Sequence, residues 1–331
     1  MWRHAPPPPL SSRMTSLTHK RESIYDLERD DEVRVGTTAY TVKSFARGGM
    51  GFIIFLQRTT TWDPQYSVHG PKLAVKTILG GSDDLRSMFR KELAVWAGFH
   101  HRHILNLNEI LEADQAWVAA MDWCDGSLRS YLDSSRVVPE RTATRIIIDL
   151  IGALDYAYVK DHVHHLDVKP ENVICRNQLS PEGCFMLSDW GIASVKNEAL
   201  RRVVEIGAIN EQEHTLNNMG TVSYMAPERF KSGHRSSAAS DIFSLGMMYF
   251  ELLTGSLPFA REVHVIDQLL SHVYVDRISA EVGLSKSAKE VILCSVNPDP
   301  NKRISSYREF HTRLVRASRA ALPFLSRMFG N

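Results

Sequence analysis

The stretch that most restricts how this chain folds is His165-Leu-Asp-Val-Lys-Pro-Glu-Asn172. It sets four polar groups of different kinds in one short loop, between the helical pattern Thr142 to Val159 and the apolar β run Val173-Ile-Cys175. A polar group buried between core elements without a partner costs roughly 2–7 kcal/mol, so each of these needs a partner or a task. Their chemistry suggests tasks. Asp167 can accept or orient the proton of an attacking hydroxyl, Lys169 can neutralise a migrating anionic group, and Asn172 offers Mg2+ a neutral oxygen. The bland alternative is a polar loop after a helix.

The strand pair that follows, Val173 to Cys175 and Phe185 to Ser188, returns the chain to the same end of the hairpin and delivers Ser188-Asp-Trp-Gly191. A carboxylate at that strand end, Asp189, lies across the hairpin from Asn172 and completes a hard oxygen site for Mg2+. Alone, Asp-Trp-Gly could be a turn.

Upstream the pattern is β-rich: Ala39 to Lys43, Phe52 to Leu56 and Lys72 to Ile78 alternate with Gly, Pro and Thr-rich turns and predict an antiparallel sheet. Between the first two runs lies Ala46-Arg-Gly-Gly-Met-Gly51, where residues without a Cβ allow close approach of backbone to phosphate oxygens, although a Gly-rich hairpin turn explains it equally well. The third run ends in Leu73-Ala-Val-Lys76, an ammonium in an otherwise apolar strand. A helix with apolar residues on one face is predicted over Asp83 to Phe99 and brings Glu92 as a counter-ion, while a surface-facing lysine remains the alternative. After Ser127 the periodicity is mainly helical. The fold class is therefore α+β, a small β lobe with one helix followed by a larger, mainly helical lobe, and a cleft between lobes is a favoured ligand site.

The order of Gly-rich turn, Ala-Val-Lys, H-x-D-x-K-P-x-N, D-x-G and Met225-Ala-Pro-Glu228 resembles the Hanks-type serine/threonine protein kinases over roughly Val33 to Leu322. The resemblance implies a bilobal kinase domain over 33–322, with a small lobe at 33–123 and a large lobe at 124–322. It implies ATP with Mg2+, or Mn2+ in its place, and protein substrates bearing Ser or Thr, the chain itself among them. By position, Lys76 and Glu92 match an ion pair against the α- and β-phosphates, Asp167 the catalytic base, Lys169 a phosphate-stabilising lysine, and Asn172 and Asp189 the metal ligands. Ala46, Gly48, Gly49, Gly51, Ile53, Ala74, Met121, Asp122, Cys124 and Ile174 match the nucleotide pocket, with Met121 in the gatekeeper position. Trp96, Leu107, His165 and Trp190 match a stacked column of side chains, and plain core residues would satisfy the same pattern. Asp241 matches a brace of the catalytic loop, Glu228 and Arg303 a structural ion pair, and Thr221 a residue beside the catalytic loop.

The sequence departs from the family in two places. Ala46 replaces the first glycine of G-x-G-x-x-G, which is tolerable where the local φ is negative. Leu166 stands where many members carry an arginine that binds an activation-segment phosphate, so activity independent of such a phosphate is expected. A scaffold that keeps the fold and only binds is disfavoured by the complete set Lys76, Asp167, Asn172 and Asp189. A small-molecule kinase of the aminoglycoside type is disfavoured by Ala226-Pro-Glu228 and Lys169.

Lysine and arginine (39) balance aspartate and glutamate (38), which leaves no global field to attract nucleic acid. No apolar run reaches the roughly 18–20 residues of a membrane span, and Cys124, Cys175, Cys184 and Cys294 form no C-x-x-C pair, so a cytoplasmic protein with free thiols is expected. Residues 1–32, with Pro6 to Pro9, read as a disordered tail, and 323–331 as a C-terminal one. Tyr307 to Phe329 is basic and amphipathic and reads as a final packed helix, with a membrane surface as the other candidate contact. Glu171 is an acid that a basic substrate residue could meet.

Overall fold

The computed structural model describes residues 15–48, 51–59, 70–78, 89–90, 93–114, 116–135, 137–176, 183–190, 222–230, 237–260 and 264–328. They fall into two compact units, one drawn from Met1–Ala97 and Asn106–Trp123, the other from Gly98–Leu105 and Cys124–Asn331.

The first unit is built on a seven-stranded antiparallel sheet of order β1-β2-β3-β4-β5-β7-β6. Its strands are β1 (Leu17–His19), β2 (Glu32–Val35), β3 (Thr38–Gly48), β4 (Gly51–Arg58), β5 (Lys72–Ile78), β6 (Leu107–Ala113) and β7 (Ala116–Asp122). Alternation decides the core. Phe52, Ile54 and Leu56 of β4, Leu73 and Val75 of β5 and Val118 and Ala120 of β7 point to one face and are buried together. The two edges of the sheet are tied by the residues before β1 and at its start. Ser16 bridges Glu112 of β6, the Glu112 amide donates to the Thr15 carbonyl (3.3 Å), and the Gly36 amide donates to the Ser16 carbonyl (3.0 Å). A sheet whose edges meet leaves few unpaired backbone groups.

This corrects the expectation of a disordered segment through residue 32. Leu17, Ile24 and Leu27 lie in the core, and Asp114, in a left-handed turn (φ 49), accepts from the Ile24 amide and contacts His19 Nε2 at 3.0 Å. Leu17, Ile24 and Leu27, spaced by seven and three, show none of the alternation of a strand, yet the segment forms a short strand and a turn because its partners lie some ninety residues away. Residues 1–14, with the proline run, lie outside the described residues.

The second unit is mainly helical: α1 (Leu128–Ser135), α2 (Glu140–Asp161), α3 (Ala238–Thr254), α4 (Val265–Leu270), α5 (Val273–Ala280), α6 (Lys286–Ser295) and α7 (Tyr307–Met328). A small sheet of order β10-β9-β8 accompanies them, from β8 (Gly126–Ser127), β9 (Val173–Arg176) and β10 (Cys184–Leu187). Helix α3 is buried from Ser240 to Leu252, all round its circumference, which marks it as the central helix. Gly246 permits the close passage of α6. A Cβ there would stand 2.2 Å from Ser295 Oγ and 2.8 Å from Val296 Cγ1. Gly255 ends α3 at φ 77, its amide returning to the Glu251 carbonyl at 2.8 Å.

Two boundaries differ from the sequence reading. Residues 98–105 belong to the second unit because Ile104 bridges Leu187, the Leu105 amide donates to the Leu187 carbonyl (2.8 Å) and the Leu187 amide to the His103 carbonyl (2.9 Å). Helix α7 runs through Pro323 to Met328, past the expected boundary at 322. None of the four cysteines is in a disulfide. Among the described residues no helix is long and apolar enough to cross a membrane.

Candidate active site

The start of the His165–Asn172 loop is anchored by residues distant in sequence. The Asp241 carboxylate, in the first turn of α3 and fully buried, accepts the His165 amide on Oδ2 (2.8 Å) and the Leu166 amide on Oδ1 (2.6 Å). Leu166 sits at φ 62, a left-handed conformation that costs a leucine about 1–2 kcal/mol. Its two flanking peptide groups are both held, the amide by Asp241 and the carbonyl by the Arg229 guanidinium. The forced turn at Leu166 sets the direction of the next residue, Asp167.

Asp167 is 6% exposed and its orientation is shared with Asn172 and Lys169. Asn172 Nδ2 donates to the Asp167 carbonyl and to Asp167 Oδ2, both at 2.8 Å, and Lys169 Nζ lies 3.5 Å from the same carboxylate oxygen. Both Asn172 amide protons are thereby used, and the remaining polar atom of the group, Oδ1, is an acceptor of the kind Mg2+ takes. The three sequence-predicted residues of this loop are brought together.

The β9–β10 hairpin pairs Val173 with Leu187, so Asn172 and Ser188 face each other one step beyond the ladder. The Ser188 amide (2.9 Å) and hydroxyl (3.1 Å) both donate to the Asn172 carbonyl. Asp189 follows at φ 64, a region that aspartate enters more easily than most residues. His165 Nε2 lies 2.8 Å from the Ser188 carbonyl, and the His165 ring packs edge-on against Trp190 with centroids 4.8 Å apart. Phe99 meets the same indole at 5.1 Å, so His165 and Trp190 of the expected column are in contact in this unit. Trp96 and Leu107 are buried in the first unit.

In the first unit, strand register places the nucleotide-side candidates. Ala46 pairs with Ile53, Ile53 with Lys76, and Ala74 with Met121. Directly opposed residues share a face, and Ala74 and Lys76 are two apart, so Ala46, Ile53, Ala74, Lys76 and Met121 all lie on the face opposite the core. Ala46 is in regular strand with no positive φ, as its methyl group requires. Gly48 pairs with Gly51 at the end of the β3–β4 hairpin. Asp122 ends β7, its carboxylate bonded to Asn108 Nδ2 at 2.9 Å. In the second unit, Ile174 lies in β9 opposite Ser127, and Cys124 precedes Asp125, whose amide donates to the Cys175 carbonyl. Gly49, Glu92, Gly191 and Thr221 lie outside the described residues.

Two features were not legible in the sequence. Arg129 of α1 donates to Glu171 Oε1 (2.9 Å), to Glu251 (2.8 Å) and to the Tyr224 hydroxyl (2.6 Å), so one oxygen of Glu171 is paired within the chain. Burial disfavours the Arg129 charge, yet Glu251, Tyr224 and Glu171 together hold it more firmly protonated than an ordinary arginine. The Tyr307 hydroxyl donates to Asp241 Oδ2 at 2.8 Å. The expected Glu228–Arg303 pair is present, fully buried and bidentate at 2.8 and 3.0 Å.

A bilobed sequence pattern, a β unit presenting a lysine beside a Gly-rich hairpin, and a helical unit presenting Asp167, Lys169, Asn172 and Asp189 together define a protein kinase. The protein kinase domain family matches residues 67–315, and the chain belongs to it. Its relatives include the serine/threonine-protein kinase PknF of Mycobacterium tuberculosis, 32% identical over 241 residues that cover 70% of this chain and 46% of PknF. The probable serine/threonine-protein kinase PknB of Lactococcus lactis is 27% identical over 66% of this chain and 32% of its own. CBL-interacting serine/threonine-protein kinase 16 of Arabidopsis thaliana is 29% identical over 67% of this chain and 45% of its own. The chain thus matches less than half the length of these relatives. The crystal structure of a cysteine-to-alanine variant of the Mycobacterium tuberculosis PknI kinase domain shares the fold, with a TM-score of 0.57 and 23% identity over 84% of this chain and 95% of that one.

Proposed function

We propose that the chain is a serine/threonine protein kinase that transfers the γ-phosphate of ATP to hydroxyls of protein substrates. The observation that carries this reading is the bonding of Asp167, Asn172 and Lys169 into one buried group. Asp167 would accept or orient the proton of the attacking hydroxyl. Lys169, beside it, would offset charge on the phosphoryl group as it moves. Asn172, through Oδ1, and Asp189 would hold Mg2+, which when bound neutralises the phosphate oxygens. Among the described residues no cluster of three or more His, Cys, Asp or Glu forms a metal site, and Mg2+ bound by one or two protein oxygens plus phosphates needs none. Lys76, on the face shared with Ala46, Ile53, Ala74 and Met121, would meet the α- and β-phosphates. Leu166 offers no charge to an activation-segment phosphate, and its backbone is held instead by Asp241 and Arg229.

The test is transfer of labelled γ-phosphate to the chain itself and to a generic basic protein, with and without Mg2+, for wild type, Asp167→Asn and Asp189→Ala. Loss of the base should lower kcat by about 10²- to 10⁴-fold. Phosphatase-treated wild type should keep its activity. A wild type that binds ATP but transfers no phosphate would replace this reading with that of a binding scaffold.

A further inference from the structure

Asp241 suspends the start of the catalytic loop, and two of its bonds come from the loop itself. A third comes from the far end of the chain. Tyr307, the first residue of α7, donates its hydroxyl to Asp241 Oδ2 at 2.8 Å. Tyr307 is 2% exposed, and burial together with the adjacent carboxylate pushes its hydroxyl well above the ordinary tyrosine range, so it remains a donor. Its single proton is committed to Asp241. The 3.1 Å contact with His164 Nδ1 is therefore donated by the imidazole, which stacks on Tyr158 with centroids 5.1 Å apart.

These bonds close a ring. It runs from the His164 side chain to Tyr307, from Tyr307 to Asp241, and from Asp241 to the amide of His165, the next residue along the chain. Residue 164 is gripped by its side chain and residues 165 and 166 by their backbone. Leu166, immediately before Asp167, is held in a conformation it would leave if released.

We propose that Tyr307 is a positioning residue for phosphoryl transfer, acting through Asp241 to hold residues 164–166 and so to aim the Asp167 carboxylate. The inference rests on the kinase reading above. A buried carboxylate stripped of one of three donors draws its remaining partners into a new arrangement. The loop then turns at Leu166, and Asp167 turns with it. Misplacement of a reacting group by about 1 Å can cost roughly 10²-fold in rate, and loss of one donor of three should give a part of that, about 5- to 20-fold in kcat. Lys76 and the sheet face around it are untouched, so the KM for ATP should not change.

The experiment compares the full chain as wild type, Tyr307→Phe, Asp241→Asn and the double variant, with kcat referred to sites that bind nucleotide. Tyr307→Phe should lower kcat about 5- to 20-fold at constant KM for ATP. In the Asp241→Asn background the same substitution should lower it by less than about twofold, because the route through Asp241 is already broken. Equal factors in both backgrounds would overturn the proposal, as would a loss that disappears once kcat is referred to nucleotide-binding sites. Should Asp241→Asn fail to fold, the kcat-against-KM comparison for Tyr307→Phe decides alone. A wild type that binds ATP yet is silent in transfer would instead remove the kinase reading itself, an outcome visible before any variant is made.

Discussion

The sheet face of the first unit and the candidate catalytic loop of the second place their polar groups by different physics. On the sheet, Ala46, Ile53, Lys76, Ala74 and Met121 share a face because consecutive strand pairs are in register, and many equivalent backbone bonds support each position. In the loop, Asp167 is placed by single, non-equivalent contacts: Asp241 on two amides, Arg229 on one carbonyl, Asn172 on the carboxylate. Redundant bonding spreads the cost of any one change. Singular bonding concentrates it, and the helical unit should therefore contain the most damaging single substitutions.

The sharpest way to break this comparison is the Glu228–Arg303 pair. Arg303 also donates to the Ala239 carbonyl (2.6 Å) and the Asn297 carbonyl (2.9 and 3.0 Å), so one side chain ties Glu228 and the start of α3 to the turn after α6. Arg303→Met should destabilise by about 3–5 kcal/mol, mostly from the stranded Glu228 carboxylate, as read by urea unfolding. A cost under about 1 kcal/mol would show that the helical unit is as redundant as the sheet.

The next test addresses the sheet where it is least redundant, at the segment that ties its edges. Ile24→Ala should cost about 2–4 kcal/mol in the same unfolding experiment, since the side chain is fully buried in the core of the first unit. No change in midpoint would mean that the sheet holds without this segment.

The smallest expected effect is electrostatic. Glu309 is held below the usual carboxylate range by the Ser305 amide, with help from the Ser305 hydroxyl and Arg313. A lowered folded-state value stabilises the fold above the ordinary glutamate value of about 4.3, and this contribution fades as pH falls through the folded value. Glu309→Gln should therefore cost about 0.5 kcal/mol or less at pH 7, after solvent screening, and nothing at about pH 2. Equal costs at both pH values would assign the effect to packing at the start of α7.

The sequence resolved the site more fully than its supports. Asp167, Lys169 and Asn172 were legible because a polar loop between apolar elements is a local contradiction, and Asp189 because a hairpin returns the chain to its start. Strands β3, β4 and β5 follow from alternation and β-branched content. The ordering of residues 15–31 was missed, since Leu17, Ile24 and Leu27 do not alternate as a strand would and find their partners across the sheet. Residues 98–105 were assigned to the wrong unit because the strand they pair with lies some eighty residues on. Tyr307 was invisible as a partner of Asp241, 66 positions earlier, because no local pattern signals which hydroxyl a buried carboxylate will find.

The amino-acid sequence by itself determined the kinase family, the α+β class, and the chemical groups of the candidate site and their order along the chain. Those properties reside in residue types at short spacings, where backbone geometry alone relates one side chain to the next. Only the tertiary structure decided that the edges of the first unit's sheet are tied by the segment before β1, that Glu171 Oε1 meets Arg129, and that Asp241 binds both the His165 amide and the Tyr307 hydroxyl. Each of these joins residues between 42 and about 100 positions apart, and which distant donor meets which buried acceptor is settled only when the core has packed.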